Sequence, residues 1–527
     1  MDIHSSLTVL DYVVITIYII VLLSLGFWVS YKKRESDDLF LAGRSLGWGS
    51  IGLSIFGTNV NPSFMIASCG VAYTSGMVAA NFEWMAWPLL MLLAMVFVPQ
   101  YLNARISTMP EFMSLRYNEA CRDFLSFYTV FSTLIAWLGM TLFTGGLLLG
   151  QILNWPLWLS VLLLITIATS FTVTGGLAAV VITDSFQSIL MIVASIVLTL
   201  IGLNKVGGIS HMIESVPPET WHLFRADGDF PWYAILLGYP VSGLWFWCTD
   251  QTIVQRVLGG RNMRQGQLGC GFAAYLKVLT PLIFFIPGIL CKILHPELAT
   301  QVNGADKAYM TMVTGYLPAG MVGLIVAVLI AALISTVDSG LNSLSTVFTL
   351  DIYCKKFKPN ATPHQIKRIG RIVTLAGAVL SVFLALGIGA IERVNLFSLL
   401  QSILAFLAPP LATVFLLGVL WPRANAKAAL STLVFGTIAS VSIGLCHMMS
   451  FPNKEFWPHF MILSFFIFAG LMIFMIVVSL LTEKPPEMEK LPSLKKIYKK
   501  VGYSPVSTWI WWIALAIIMV FVYIVFN

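Results

Sequence analysis

The sequence predicts an all-α membrane protein with about fourteen transmembrane helices, and three observations predict it. Of 527 residues, 58% are hydrophobic and only 10% are charged, giving a mean hydropathy of +0.86. No soluble domain of this length needs so much apolar surface. Apolar windows long enough to cross a bilayer, ~20 residues each, recur along the whole chain. The basic residues concentrate in alternate loops between those windows, as the positive-inside rule requires.

The windows fall at 9–29, 47–70, 77–98, 122–150, 157–177, 181–203, 231–254, 268–293, 319–352, 371–390, 395–421, 427–448, 459–481 and 506–526. The first follows an uncharged-to-acidic start and lacks a small-residue cleavage site, so it reads as a retained span. The division at Gly175-Gly176 is the weakest. Loops after the odd-numbered windows carry Lys32, Lys33, Arg34, Arg44, Arg105, Arg116, Arg122, Arg256, Arg261 and Arg264. Further along the same side come Lys355, Lys356, Lys358, Lys367, Arg368, Arg371, Arg423, Lys427 and the lysines between Lys484 and Lys500. Together these are 24 of the 31 basic residues. Lys205, Arg225, Lys292, Lys307, Arg393 and Lys454 take the other side. This asymmetry places the basic loops in the cytoplasm and both termini outside, extracellular or periplasmic, in a multi-pass plasma-membrane protein.

Two windows carry interruptions, Gly57-Thr-Asn-Val-Asn-Pro62 and Gly238-Tyr-Pro-Val-Ser-Gly243. Gly and Pro free backbone groups that protein or ions must then satisfy. The two breaks lie five windows apart, at corresponding positions of two halves, which points to an inverted-repeat transporter with a midplane site. Helices in membranes tolerate either break alone; the spacing gives the pair its meaning. Within the ninth window, Ser335, Asp338, Ser339 and Asn342 recur at i, i+3, i+4 and i+7 on one helical face. Serines of this kind also serve as interhelical glue, but a carboxylate at that depth marks a functional site.

The remaining buried charges are Glu83, Asp184, Asp250 and Lys277. Lys277 falls about nine residues into its window, roughly 14 Å from the cytoplasmic end at 1.5 Å per residue. It therefore needs a partner or water, and Glu83, entering from the outside, is the expected counter-charge. A purely structural pair is the alternative. With Asn59 and Gln401, these groups offer donors and acceptors to a neutral polyhydroxylated solute. Trp84, Trp245, Phe246 and Trp247 are candidate faces for sugar stacking, or interface anchors.

Other chemistries find no foothold. The net charge of +7 is spread over short loops, not gathered in a nucleic-acid patch. The seven cysteines and seven histidines lack metal-ligand or redox spacing. No nucleophile triad, P-loop or dinucleotide fingerprint is present, so an enzyme is not expected.

Several long stretches resemble the sodium:solute symporters, most closely their sodium/glucose cotransporter branch. They are Asp38-Leu-Phe-Leu-Ala-Gly-Arg-Ser-Leu-Gly47, Gly175-Gly-Leu-Ala-Ala-Val-Val-Ile-Thr-Asp184, Trp247-Cys-Thr-Asp-Gln-Thr-Ile-Val-Gln-Arg256 and 331–353. The resemblance implies the leucine-transporter-like fold with two inverted five-helix repeats. Residues 1–45 would be an extra helix and cytoplasmic loop, 46–204 and 205–422 the two repeats, and 423–527 three added helices. It also implies a sodium ion, the coupling ion, held by the carbonyls of Gly57, Val60 and Ala332 and the hydroxyls of Ser335 and Thr336. A second sodium site would use Asp184, Asp338 and Ser339; here Asp338 departs from the usual hydroxyl, which fits a stronger second cation site or a proton site. The implied solute site retains Asn59, Glu83, Lys277 and Gln401. Three positions depart: Phe64 replaces a polar contact, Gly243 replaces an asparagine of some sugar carriers, and Phe246 replaces the inner-gate tyrosine.

The expected function is sodium-coupled import of a neutral sugar, amino sugar or polyol by alternating access. The alternative is the same machine carrying a carboxylate, vitamin or amino acid, for which an unneutralised Lys277 would serve. A membrane sensor is disfavoured because no inner loop is long enough for an appended domain. An ion channel is disfavoured by the buried polar cup.

Overall fold

A computed structural model describes residues 7–32, 40–153, 155–228, 230–301, 304–389, 396–486, 491–492, 494–502 and 506–527. Lys33, Arg34, Asp38, Arg393 and Lys490 lie outside these residues. Among the described residues all regular elements are helices, apart from one isolated bridge between Leu46 and Gly260. Nine helices position the site. They are α1 (Val9–Lys32), α2 (Trp48–Asn59), α3 (Pro62–Ser75), α4 (Leu157–Val206), α5 (Trp232–Cys248), α6 (Gln251–Leu258), α7 (Met263–Phe284), α8 (Met321–Val347) and α9 (Leu396–Leu420).

Helix α8 is the axis of the fold. It is buried along almost its whole length, on its polar stripe as well as on its apolar faces, as expected for a helix surrounded by others. It packs along α4 and also touches α1, α2 and α6. Asp11 of α1 fixes its start, accepting from the amides of Gly320 and Gly323 at 2.7 Å each. Those amides have no partner in the helix, so a carboxylate there both caps it and favours its dipole. The helices Phe460–Leu481 and Val506–Val525 expose apolar side chains such as Phe466, Ile473, Ile510 and Ile517. Such faces belong in lipid.

Eleven described helices are long and apolar enough to cross a membrane, so the count of fourteen is not established. The windows expected at 47–70, 157–177 and 231–254 are the ones not counted separately, and each is short or interrupted. Between α2 and α3 the chain breaks at Val60-Asn61, where Asn61 is extended (φ −97°, ψ 167°). The residue before a proline avoids the helical region, and Asn61 then caps α3 by accepting from the Phe64 amide at 2.8 Å. The α4 range consists of two helices that meet at Gly176 (φ 54°, ψ −152°), a conformation open to glycine alone, at the division expected from sequence.

The second interruption differs from expectation. Helix α5 runs unbroken through Pro240, and the break comes later, at Thr249-Asp250. The reason is capping: Asp250 accepts from the Thr252 amide at 2.8 Å and starts α6 afresh. A second correction concerns three arginines read as loop residues. Arg116 is buried and donates to the carbonyls of Gly418 (2.6 Å), Ala424 (3.0 Å) and Trp421 (3.1 Å). Arg122 is buried against Asp351 at 2.6 Å. Arg256 lies deep inside the bundle, and its partners belong to the site.

Candidate cation and solute sites

The break after α2 leaves backbone oxygens exposed to their surroundings. Asn61 donates its amide to Asn59 at 3.2 Å instead of reaching back to Gly57, and Pro62 has no amide to give to Thr58. Helix ends of this kind present carbonyls that need an outside donor or cation. Opposite them, α8 buries Ala332, Ser335 and Thr336. The Thr336 hydroxyl donates to the Ala332 carbonyl at 3.0 Å, which holds both oxygens on one turn. Helices α2 and α8 are in contact.

Asp184 of α4 ties the two together. Its Oδ1 accepts from the Ser335 hydroxyl at 2.5 Å, and its Oδ2 from the Ser54 hydroxyl at 2.6 Å. Ser188, one turn further along α4, donates to the Leu53 carbonyl at 2.9 Å. Ser335, expected for one sodium site, is thereby linked to Asp184, expected for the other. Ser339 donates to the Ser335 carbonyl at 2.8 Å. Asp338 is fully buried, and neither carboxylate oxygen has a hydrogen-bond partner among the described residues.

Into this cluster reaches Arg256. Its Nε donates to Ser54 at 2.8 Å, and its Nη2 to Asp184 Oδ2 at 3.2 Å and to Ser339 Oγ at 2.5 Å. Its Nη1 donates to the Thr252 carbonyl. Neither Arg256 nor Ser54 is among the site residues expected from sequence. The signal available was the polar spacing Ser50, Ser54, Thr58 on α2; Arg256 itself was masked by neighbouring Arg261 and Arg264.

The solute group assembles around Lys277 of α7. Its ammonium donates to Asn59 Oδ1 and to Glu83 Oε2, and it lies 5.5 Å from the ring centres of both Phe64 and Trp247. Phe246 packs edge-on against Trp247 at 4.7 Å and in a tilted arrangement against Trp137 at 5.5 Å. Trp137, which sequence did not single out, also donates its indole N–H to Asp250 Oδ2 at 3.4 Å. Gln401 lies half-buried on α9, a helix that packs along α5; among the described residues no hydrogen bond joins it to Lys277. Trp84 points elsewhere, donating to the Val278 carbonyl at 3.1 Å and packing on Phe526 at 5.2 Å. Gly243 meets Leu89, Tyr239 and Trp247, so its lost side chain is replaced by apolar packing.

An all-helical membrane bundle whose interrupted helix ends beside a buried hydroxyl–carboxylate cluster defines a secondary carrier of the leucine-transporter-like fold. The chain belongs to the sodium:solute symporter family, whose model matches residues 39–436. It is a sodium-coupled transporter, not an enzyme. It is 32% identical over 471 residues to sodium/glucose cotransporter 4 of Danio rerio, covering 83% of this chain and 72% of that one. To a sodium/mannose cotransporter of Bos taurus it is 32% identical over 486 residues, covering 85% and 81%. Among solved structures, a Na+-coupled sialic acid symporter in a substrate-bound outward-open state superposes with a TM-score of 0.79 at 22% identity, covering 91% of this chain and 99% of that one.

Proposed function

We propose that this protein imports a neutral sugar or sugar-like solute with sodium. One observation carries the reading: Lys277 is neutralised by Glu83 and further engaged by Asn59, inside walls formed by Phe64 and Trp247. Such a cup offers hydroxyl-sized donors and acceptors and apolar ring faces without a net charge. An anionic solute would compete with Glu83 for the ammonium, and a cationic one would meet it head-on. The relatives described as glucose and mannose cotransporters support the same reading.

The coupling sodium lies between α2 and α8, on the carbonyls of Gly57, Val60 and Ala332 and the hydroxyls of Ser335 and Thr336. Bound there, it holds the broken helix against α8 and favours the form open to the outside. Solute then closes the outer side, and sodium leaving to a low-sodium cytoplasm opens the inner one. The cytoplasmic side is the one bearing the basic loops, with both termini outside. Residues 46–204 and 205–422 act as the two inverted repeats, flanked by 1–45 and 423–527. Gln401 and Phe246 close the cup from α9 and α5.

Uptake of a panel of radiolabelled hexoses, amino sugars, polyols, carboxylates and amino acids into proteoliposomes tests this directly. A hexose, amino sugar or polyol accumulating only with an inward sodium gradient is the expected result. Sodium-driven uptake of a carboxylate or amino acid, and of no sugar, would overturn the solute assignment.

A further inference from the structure

The last span, Val506–Val525, is preceded by a short helix, Leu494–Val501, that none of the sites above uses. Its sequence, Leu-Lys-Lys-Ile-Tyr-Lys-Lys-Val, gives it two faces. Ile497 is buried and Leu494 and Tyr498 are half-buried, whereas Lys495, Lys496, Lys499 and Lys500 are all exposed. A helix this short does not hold by itself; docking holds it. The Tyr498 hydroxyl accepts from Gln267 of α7 at 2.7 Å and donates to the Met95 carbonyl at 3.5 Å, and Gln100 donates to the Pro492 carbonyl at 3.0 Å. The apolar face is thus taken up by the bundle, and the lysines are left outside. Like charges spaced i and i+4 oppose one another. No acidic residue lies in the first turn, and among the described residues Lys495, Lys499 and Lys500 join no ion pair.

Gln267 also fixes the depth of this helix. Two residues before it on α7, Gln265 accepts from the amide of Trp48 at 2.8 Å. Four residues after it, about 6 Å along the helix, Gly271 faces Trp512, and Tyr275 donates to the Trp511 carbonyl at 2.7 Å. Trp48, Trp509 and Trp511 are exposed tryptophans near the starts of their helices, where an interfacial aromatic belt belongs. The lysine face therefore lies at the level of lipid headgroups.

We propose that the lysine face of Leu494–Val501 is a docking surface for anionic phospholipid headgroups, which hold this helix between the leaflet and the end of α7. With the basic loops facing the cytoplasm, as proposed above, the leaflet is the inner one, where anionic lipids concentrate. Lysine suits a fluid headgroup layer, because its ammonium is a rotatable point charge that needs no fixed bidentate partner.

Photo-crosslinking tests this on the full-length protein in phosphatidylcholine vesicles doped with photoactivatable phosphatidylserine or photoactivatable phosphatidylcholine. Mass spectrometry reads the adducts on residues 491–512. The serine lipid should label this segment at least about fivefold more than the choline lipid, the factor one lysine contributes near an anionic surface. Lys499→Gln with Lys500→Gln, which leaves Ile497 and Tyr498 in place, should bring the two lipids toward parity. Lys355→Gln with Lys358→Gln, at exposed lysines of another basic loop, should not, and excess soluble glycerophosphoserine should leave the labelling unchanged. Equal labelling of wild type by the two lipids would overturn the proposal, as would a preference that survives loss of Lys499 and Lys500. An equal loss in the Lys355 and Lys358 variant would assign the preference to net charge alone, and competition by the soluble headgroup would assign it to a free phosphate ester; either overturns the lipid surface. Both leaflets of these vesicles have one composition, so no outcome depends on the orientation of the protein or on the solute it carries.

Discussion

An ammonium at the depth of Lys277 persists only because Glu83 and Asn59 meet it. Removing one partner leaves the other charge buried, a loss of about 3–5 kcal/mol. Glu83→Gln should therefore lower the thermal unfolding temperature in detergent. The double variant Glu83→Gln, Lys277→Met should recover most of it without recovering uptake. If Glu83→Gln melted like wild type, the pair would contribute nothing to holding the bundle. These two residues were legible in sequence because charges stand out against apolar windows. Arg256 was not, because it follows an apolar window and precedes Arg261 and Arg264, a pattern that reads as a cytoplasmic loop. The helix restarts at Asp250 as α6, and every residue of α6, Arg256 included, is buried. The Ser335 hydroxyl was visible from its spacing and Thr336 only through the family resemblance, and the bond from Ser335 to Asp184 joins residues 151 apart in sequence.

At the level of helices, the first interruption could be read directly, since Asn-Pro forces an extended residue and supplies its own cap. The second was misplaced: Gly and Pro at 238–243 look like a break, yet α5 accommodates Pro240, and the true stop depends on an aspartate cap. Pro costs a helix one hydrogen bond, which neighbouring helices in a membrane can offset. Close approaches between helices were invisible from sequence. A side chain on Gly288 would collide with the backbone carbonyl of Cys69 on α3, whereas one on Gly57 would meet the movable hydroxyl of Ser188. Gly288→Ala should thus lower the melting temperature more than Gly57→Ala, and equal losses would contradict this packing. Asp11→Ala removes the cap of α8 and should cost about 1 kcal/mol, seen as a drop in melting temperature of the detergent-solubilised protein; no change would mean that water or another group satisfies the Gly320 and Gly323 amides.

Across the whole molecule, the legible features were those set by the bilayer: helical class, membrane spans and the uneven distribution of basic residues. The identity of the solute was not legible in the same way, because the cup at Lys277 gathers residues from α2, α3, α5, α7 and the turn at Asn81–Trp84 that no local pattern connects. One sodium entering down a ~100 mV potential contributes ~2.3 kcal/mol, enough for roughly 50-fold accumulation of a neutral solute from voltage alone. Collapsing the membrane potential at a fixed sodium gradient should therefore lower steady-state accumulation by about that factor, and accumulation indifferent to voltage would contradict a net inward charge per cycle. The central claim is that sodium bound at Ser335 and Thr336 drives solute inward. Its most direct test is solute uptake into proteoliposomes as a function of external sodium, for wild type and for Ser335→Ala with Thr336→Ala. The double variant should need a markedly higher sodium concentration for half-maximal uptake; an unchanged sodium dependence would place the coupling ion elsewhere.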